Sequence, residues 1–490
     1  MAEKYNVKLE LNKIFKLLEN YCITEIGKNN LYNLHPSNNK LVVKHLLSET
    51  TQCHNLLLEH GNPPITNLSD YQKIIKIIES QLPLSCNNLL FVAHLLKTSK
   101  ELKNYFSNVE DSSNYDLIEC YFNNLYTNID LENKIFKSIL DDHTVSDEAS
   151  TTLANLRRKK RNLESSIKEN LNKFIHSSSY SKYIMDSIIT IRNDRYVVPI
   201  KVEYKDNVKG FIHDISYSGS TVYIEPTSIF ELNNQIHNMQ IEENIEIDKI
   251  LKELSESVFA VTSNLKSTLC SIGNIDLIFA KAKFSTTYDG IEPILNEEKF
   301  ISLKDARHPL IDKKSVVPID IEIGKKYNSL IITGPNTGGK TVTLKTVGLL
   351  CLMAYCGLHI PANENSSIFV FDNIFADIGD EQSIQESLST FSSHMTNIIE
   401  IYNLATEKSL ILVDELGSET DPVQGANLAI SILEYFYNLG ALSLATTHYQ
   451  EIKNYALVTD GFENASSEFD IENLKPTYRL LVGVPGKSNA

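Results

Sequence analysis

Ser329-Leu330-Ile331-Ile332-Thr333 is a short apolar run, and Gly334-Pro335-Asn336-Thr337-Gly338-Gly339-Lys340-Thr341 follows it without a gap. A helical apolar pattern then covers 342–355. The middle stretch has the form G-x-x-x-x-G-K-[ST], flanked by the strand and helix that this form needs. Its glycines let backbone N–H groups close around phosphate oxygens, and the helix N-terminus adds positive potential. In such a loop Lys340 reaches the β and γ phosphates, and the Thr341 hydroxyl ligates Mg²⁺. The whole loop, Gly334 through Thr341, is therefore a nucleotide-binding candidate.

Downstream, Ser409-Leu410-Ile411-Leu412-Val413 is continuously apolar, as a central strand buried on both faces must be. It ends in Asp414-Glu415. Asp414 is placed to share the Mg²⁺ shell with Thr341 at the strand's carboxyl end. Glu415, one residue on and pointing away, would orient or deprotonate the attacking water. Ala445-Thr446-Thr447-His448-Tyr449 closes another apolar run, and His448 there would sense the γ phosphate. The catalytic candidates are thus Glu415 and His448, and the metal candidates are Thr341 and Asp414. Strand-like runs at 329–333, 368–371, 410–413 and 442–446 alternate with helical patterns, which predicts a mostly parallel sheet covered by helices.

The chain before Pro293 reads differently. Residues 1 to about 110 form short helical patterns broken by turn signals such as Asn62-Pro63-Pro64. An apolar stripe of Leu153, Leu156, Leu163, Ile167, Leu171 and Phe174 predicts a helix over about 148–178. Arg157-Arg158-Lys159-Lys160-Arg161 interrupts it, either as a solvated face or as a phosphate contact. A longer stripe over about 228–286 has no proline to break it, and one helix of that length would reach on the order of 80 Å. Between the two stripes, 195–202 and 221–224 are β-rich, with the turn-like Ser216-Tyr217-Ser218-Gly219-Ser220 between them. A small β module at the end of a helical hairpin is the expectation. Its basic residues Arg192, Arg195 and Lys201 are nucleic-acid candidates, with Lys205 and Lys209 alongside.

The 490 residues suggest about three domains. Hydrophobic residues make up 42% and charged ones 22%, which excludes disordered and collagen-like classes. The net charge of −16 confines any nucleic-acid binding to local patches. Seven cysteines without a C-x-x-C pair fit a reducing compartment and argue against a zinc site. No apolar run is long enough to span a bilayer, so a cytoplasmic location without membrane association is expected.

The phosphate loop, then Leu388-Ser389-Thr390-Phe391-Ser392-Ser393-His394-Met395, then Asp414-Glu415-Leu416-Gly417-Ser418-Glu419-Thr420-Asp421 resembles the MutS branch of ABC-type ATPases. Further words bring the whole chain close to the MutS-II family, MutS paralogues that lack the mismatch-recognition domain. They include Arg192-Asn193-Asp194-Arg195-Tyr196, His213-Asp214-Ile215-Ser216, Glu225-Pro226, Asp305-Ala306-Arg307-His308-Pro309 and Asp377-Ile378-Gly379-Asp380.

The resemblance implies a mainly α-helical core and long lever helices with a small β clamp, followed by an α/β P-loop NTPase domain of ABC type. The implied segments are 1–147 for the helical core, 148–290 for levers and clamp (the clamp at about 185–227), and 291–490 for the ATPase. It further implies ATP hydrolysis with ATP and Mg²⁺ as cofactors, and a homodimer that sandwiches two nucleotides. Ser389 and Thr390 would then contact the γ phosphate in trans, and 418–421 would form the neighbouring loop. His359, Ile360 and Pro361 are the nucleobase candidates.

Family members are described as binding branched DNA and suppressing recombination, and as acting on collided ribosomes through ribosomal RNA. Compared with full-length members, the chain ends inside the ATPase domain, ahead of the Smr nuclease. A truncation without endonuclease activity is therefore expected, with dimerisation and turnover dependent on what is missing. The alternative is a nucleotide-binding clamp module without turnover. An SMC-like protein is disfavoured, because its arm would lie between the phosphate loop and Asp414-Glu415.

Overall fold

The computed structural model describes residues 3–379, 390–417, 421–470 and 475–484. The chain forms two compact units that do not follow chain order. One comprises Asp70–Lys100 and Tyr126–Ser267, and the other Met1–Ser69, Glu101–Leu125 and Thr268–Ala490. No helix among the described residues is long and apolar enough to cross a membrane.

In the first of these units, helix α1 (Thr151–Ile175) starts where the Ser150 hydroxyl accepts from Leu153 N at 3.0 Å. It packs along helix α2 (Phe230–Phe259). The basic run is largely consumed in that packing. Arg157 bonds Glu243 at 2.7 Å and Asp147 at 2.7 Å, and Lys160 bonds Glu243 at 2.9 Å. These half-buried cations join two helices and a preceding turn, while Arg158, Lys159 and Arg161 stay exposed, Arg161 with Asp147 at 3.4 Å.

Strands β1 (Thr190–Arg192), β2 (Arg195–Lys201), β3 (Gly210–Ile215) and β4 (Thr221–Pro226) form an antiparallel sheet in the order β1-β2-β4-β3. Val198, Ile200, Val222 and Ile224 bury against Ile167, Leu171, Ile175 and Ile236 of the helices.

The second apolar stripe is not one helix. α2 ends at Phe259, and α3 (Thr262–Thr287) begins after a turn at Ala260–Val261. The Thr262 hydroxyl donates to Phe259 O at 2.9 Å and so competes with the backbone for that carbonyl.

The other unit is built on a six-stranded sheet. Its strands are β5 (Ser329–Thr333), β6 (Asn373–Asp377), β7 (Ser409–Val413), β8 (Leu442–Thr446), β9 (Phe462–Asp470) and β10 (Lys475–Val482). Their order is β6-β7-β8-β5-β9-β10, parallel throughout except for the last pair. The strand expected at 368–371 is displaced. Ser367–Ile368 joins a smaller mixed sheet with Ile294–Leu295 and Ile301–Ala306, and the parallel sheet takes Asn373–Asp377 instead. The Tyr355 hydroxyl donates to Phe369 O at 2.6 Å and accepts from Phe371 N at 3.0 Å, which ties up the intervening backbone.

Helix α4 (Lys340–Tyr355) follows β5 and is buried almost all round. Helices Leu11–Glu19 and Lys40–His60 pack on it. Tyr5, Leu9, Ile14 and Leu18 accordingly share one core with Leu330, Val347 and Leu412. The N-terminal helices thus bury the outer face of the phosphate-loop helix.

Candidate nucleotide site

The carboxyl ends of three parallel strands, β5, β7 and β8, gather the candidate residues in one place, where ligands of open α/β sheets bind. β5 delivers Gly334 to Thr341. Pro335 leads into a single tight turn, Asn336–Gly338, in which Gly338 N donates to Pro335 O at 3.0 Å, with Thr337 inside it. Gly339 caps α4 at φ 86°, a left-handed conformation that disfavours any side chain. At Gly338 an added Cβ would lie 2.9 Å from Ser467 Cβ. β9 therefore crowds the loop and keeps it glycine.

Lys340 is 2% exposed. Its Nζ donates to Gly334 O at 2.8 Å and lies 3.0 Å from His448 Nε2. Burial lowers its pKa to about 8, against the raising pull of the Glu415 and Asp414 carboxylates. The Thr341 hydroxyl donates to Asp414 Oδ2 at 2.6 Å, and the Thr446 hydroxyl bonds Asp414 Oδ1. Thr446 also accepts from Glu415 N at 2.8 Å. Thr446 lies within the quoted Ala445–Tyr449 word, yet only the pairing of β7 with β8 reveals its role. It fixes both acidic residues at once.

Glu415 itself sits at φ 48°, a costly conformation for a residue with a side chain, which the surrounding bonds maintain. Its carboxylate lies 3.3 Å from His448 Nε2. One imidazole nitrogen cannot accept from Lys340 and donate to Glu415 in the same tautomer. A phosphate group that drew Lys340 away would free His448 to donate to Glu415.

Thr341 and Asp414 present oxygen donors of the kind Mg²⁺ takes. Among the described residues no group of three His, Cys, Asp or Glu could cage a metal unaided.

A cavity of about 360 Å³ opens beside Gly339 and Thr343, walled by His308, Ile311, Val316 and Val342. Burial holds the His308 imidazole neutral, with its pKa pushed down to about 4. Apolar walls and a neutral ring suit a nucleobase. The sequence-based candidates lie elsewhere. His359 is 3% exposed and bonds Ser285 at 2.8 Å and Thr51 at 2.9 Å, Ile360 is fully buried, and Pro361 lines a separate cavity. Following the phosphate-loop helix in sequence did not bring these residues to its nucleotide-facing end.

Ser389 and 418–420 lie outside the described residues. Thr390 opens the helix Thr390–Leu404, and Asp421 caps the helix Pro422–Leu439 by accepting from Val423 N and Gln424 N.

The clamp-like sheet separates its basic candidates. The Arg195 guanidinium bonds Glu225 at 2.8 Å and Asn234 at 2.6 Å, and Glu225 is fully buried with His213 and Asn233 as further partners. Arg195 is therefore committed to the sheet's interior. Arg192 pairs with exposed Asp214 at 3.1 Å and stacks over the Tyr223 ring. Lys201 is half-buried at the end of β2. Arg195→Ala should strand a buried carboxylate and cost about 3 kcal/mol, whereas Arg192→Ala should cost under about 1 kcal/mol. Thermal melts of the two variants check this, and equal losses would contradict the assignment.

Comparison with known proteins follows this geometry. Residues 330–488 match the family described as MutS domain V. The chain is 47% identical over 491 residues to a protein named Endonuclease MutS2 from Clostridioides difficile (strain 630), covering 100% of this chain and 62% of that protein. It is 48% identical over 495 residues to Endonuclease MutS2 from Acetivibrio thermocellus, again covering 100% of this chain and 62% of the relative. The chain thus spans less than two thirds of the length of these curated relatives.

Proposed function

We propose that this chain, which belongs to the MutS-II family, is an ATPase of ABC type whose nucleotide state governs a clamp around nucleic acid. The observation that carries the reading is the convergence of Lys340, Thr341, Asp414, Glu415 and His448 at the carboxyl edge of one parallel sheet. Lys340 and the loop N–H groups bind the phosphates, and the cavity beside Gly339 seats the base. Thr341 and Asp414 would hold Mg²⁺, which neutralises phosphate charge when bound. Glu415, backed by His448, takes the proton of the attacking water. Two subunits would complete each site, with Ser389 and Thr390 acting in trans.

On the substrate side, branched DNA or recombination intermediates and ribosomal RNA of a stalled ribosome both offer phosphates to the clamp. Between 185 and 227 there are only five basic side chains against six acidic ones. This favours recognition of shape over broad charge neutralisation.

The test combines steady-state ATP turnover and light-scattering mass of residues 1–490 with salt titrations of a DNA junction and a structured RNA. An Arg192→Ala/Lys209→Ala variant serves as the clamp probe, since Arg195→Ala would perturb the fold. ATP-dependent pairing with turnover, and weakened binding of one nucleic acid, is expected. Nucleotide binding by a monomer without turnover would reject the ATPase reading for this chain and leave a nucleotide-binding clamp module.

A further inference from the structure

The carboxyl end of β6 carries a buried carboxylate that the chemistry above does not use. Asp377 is 2% exposed. Its carboxylate accepts from His394 Nδ1 at 2.8 Å and from Asn397 Nδ2 at 2.8 Å, and Lys8 Nζ lies 3.7 Å away. His394 and Asn397 are three residues apart and so share one face of the helix Thr390–Leu404. Lys4 of the N-terminal helix also reaches this face, bonding Asn397 at 3.2 Å and pairing with Glu400. The backbone of Asp377 makes a different connection, since its carbonyl accepts from Asp414 N at 2.9 Å. One residue thus holds a helix with its side chain and the metal-candidate carboxylate's backbone with its carbonyl.

We propose that the Asp377–His394 pair is a positioning joint. It holds the Thr390 end of that helix in place for the nucleotide of an opposing subunit, and it links that placement to Asp414 and Glu415 of its own subunit. The inference rests on the two-subunit ATPase reading. A buried carboxylate with all its partners in place has one well-defined arrangement. Without His394 the first turns of the helix lose a side-chain attachment to β6. Small misplacement of a group that contacts a reacting phosphate is enough to slow the chemistry.

The test is subunit mixing in the presence of ATP and Mg²⁺. His394→Ala should lower kcat by about 10- to 100-fold with ATP affinity unchanged, because the defect is one of positioning in trans. Glu415→Gln binds ATP but does not turn it over. In a mixed dimer, one site takes its phosphate loop and Glu415 from the His394→Ala subunit and its Thr390 end from the Glu415→Gln subunit. In that site Glu415 is intact and the contributed Thr390 end keeps its Asp377–His394 pair, so mixing should raise turnover several-fold above the sum of the separate variants.

No rise on mixing, with dimers formed and ATP bound, overturns the proposal and places the His394 defect within its own subunit. His394→Asn keeps an N–H donor toward Asp377 and should recover most of kcat. An asparagine variant as slow as alanine also overturns it. If the unmutated chain neither pairs nor hydrolyses ATP, that control rejects the ATPase reading first, and the proposal falls with it.

Discussion

Glu415→Gln should lower ATP turnover by about 10²–10⁴-fold, the range a positioned general base contributes, while ATP affinity stays within a few-fold of the starting protein. The two effects separate because of where the groups sit. The Glu415 carboxylate lies 3.3 Å from His448 Nε2. The substitution removes the group that accepts a proton but leaves Lys340, Thr341 and Asp414 in place. The bond from Glu415 N to Thr446 persists, since it is a backbone bond, so the left-handed turn that aims the side chain is retained. Single-turnover and steady-state rates, with binding measured by calorimetry, check the result. Normal hydrolysis by the glutamine variant would show that another residue activates the water.

Lys340→Met should have opposite effects on stability and binding. Lys340 is buried, and its pKa is lowered from 10.5 to about 8. At 1.36 kcal/mol per unit, keeping that ammonium charged costs on the order of 3 kcal/mol at pH 7, partly offset by its bonds to Gly334 O and His448. The methionine variant should therefore be more stable by about 1–2 kcal/mol without nucleotide. ATP affinity should fall by about 100-fold or more, because charge-assisted bonds worth about 1.5–3 kcal/mol each are lost.

The sign with pH follows from linkage. Below pH 8 the lysine is charged in both folded and unfolded chains, so its cost is present in full. Between about pH 8 and 10.5 the folded protein sheds the proton that the unfolded chain keeps, and the stability of the lysine protein rises with pH. The advantage of Lys340→Met should narrow over that window. Denaturation midpoints at pH 7 and pH 10 test this, and a gap that does not change with pH would contradict the burial argument.

The gathering of the phosphate-loop, acidic and histidine candidates was legible because each is encoded locally. Gly334–Thr341, Asp414-Glu415 and His448 each stand directly at the end of an apolar strand, and parallel pairing of β5, β7 and β8 brings strand ends together. The antiparallel hairpins of the small β sheet were legible for a similar reason, as β-rich runs around a turn. Less local features were not. Ile368–Phe371 and Asn373–Asp377 look alike as short apolar runs, and a tyrosine bond from α4 decides which of them enters the sheet. The basic run Arg157–Arg161 read as a solvated face or a phosphate contact, and Arg195 as a nucleic-acid candidate, because the carboxylate partners Glu243 and Glu225 lie 86 and 30 residues away.

By itself the sequence determined which residues are candidates for phosphate chemistry, since a phosphate loop and a strand-end acidic pair depend on spacing over a few residues. It also determined the order of helical, β and α/β regions through hydrophobic period. The tertiary structure alone decided which charges are free to act. It used Arg195 and Arg157 internally, opened a cavity at His308 beside Gly339, and connected Asp377 to both Asp414 and the helix that begins at Thr390. The physical reason is that a buried charge needs a partner at hydrogen-bond distance, and only the folded chain sets which residues come that close.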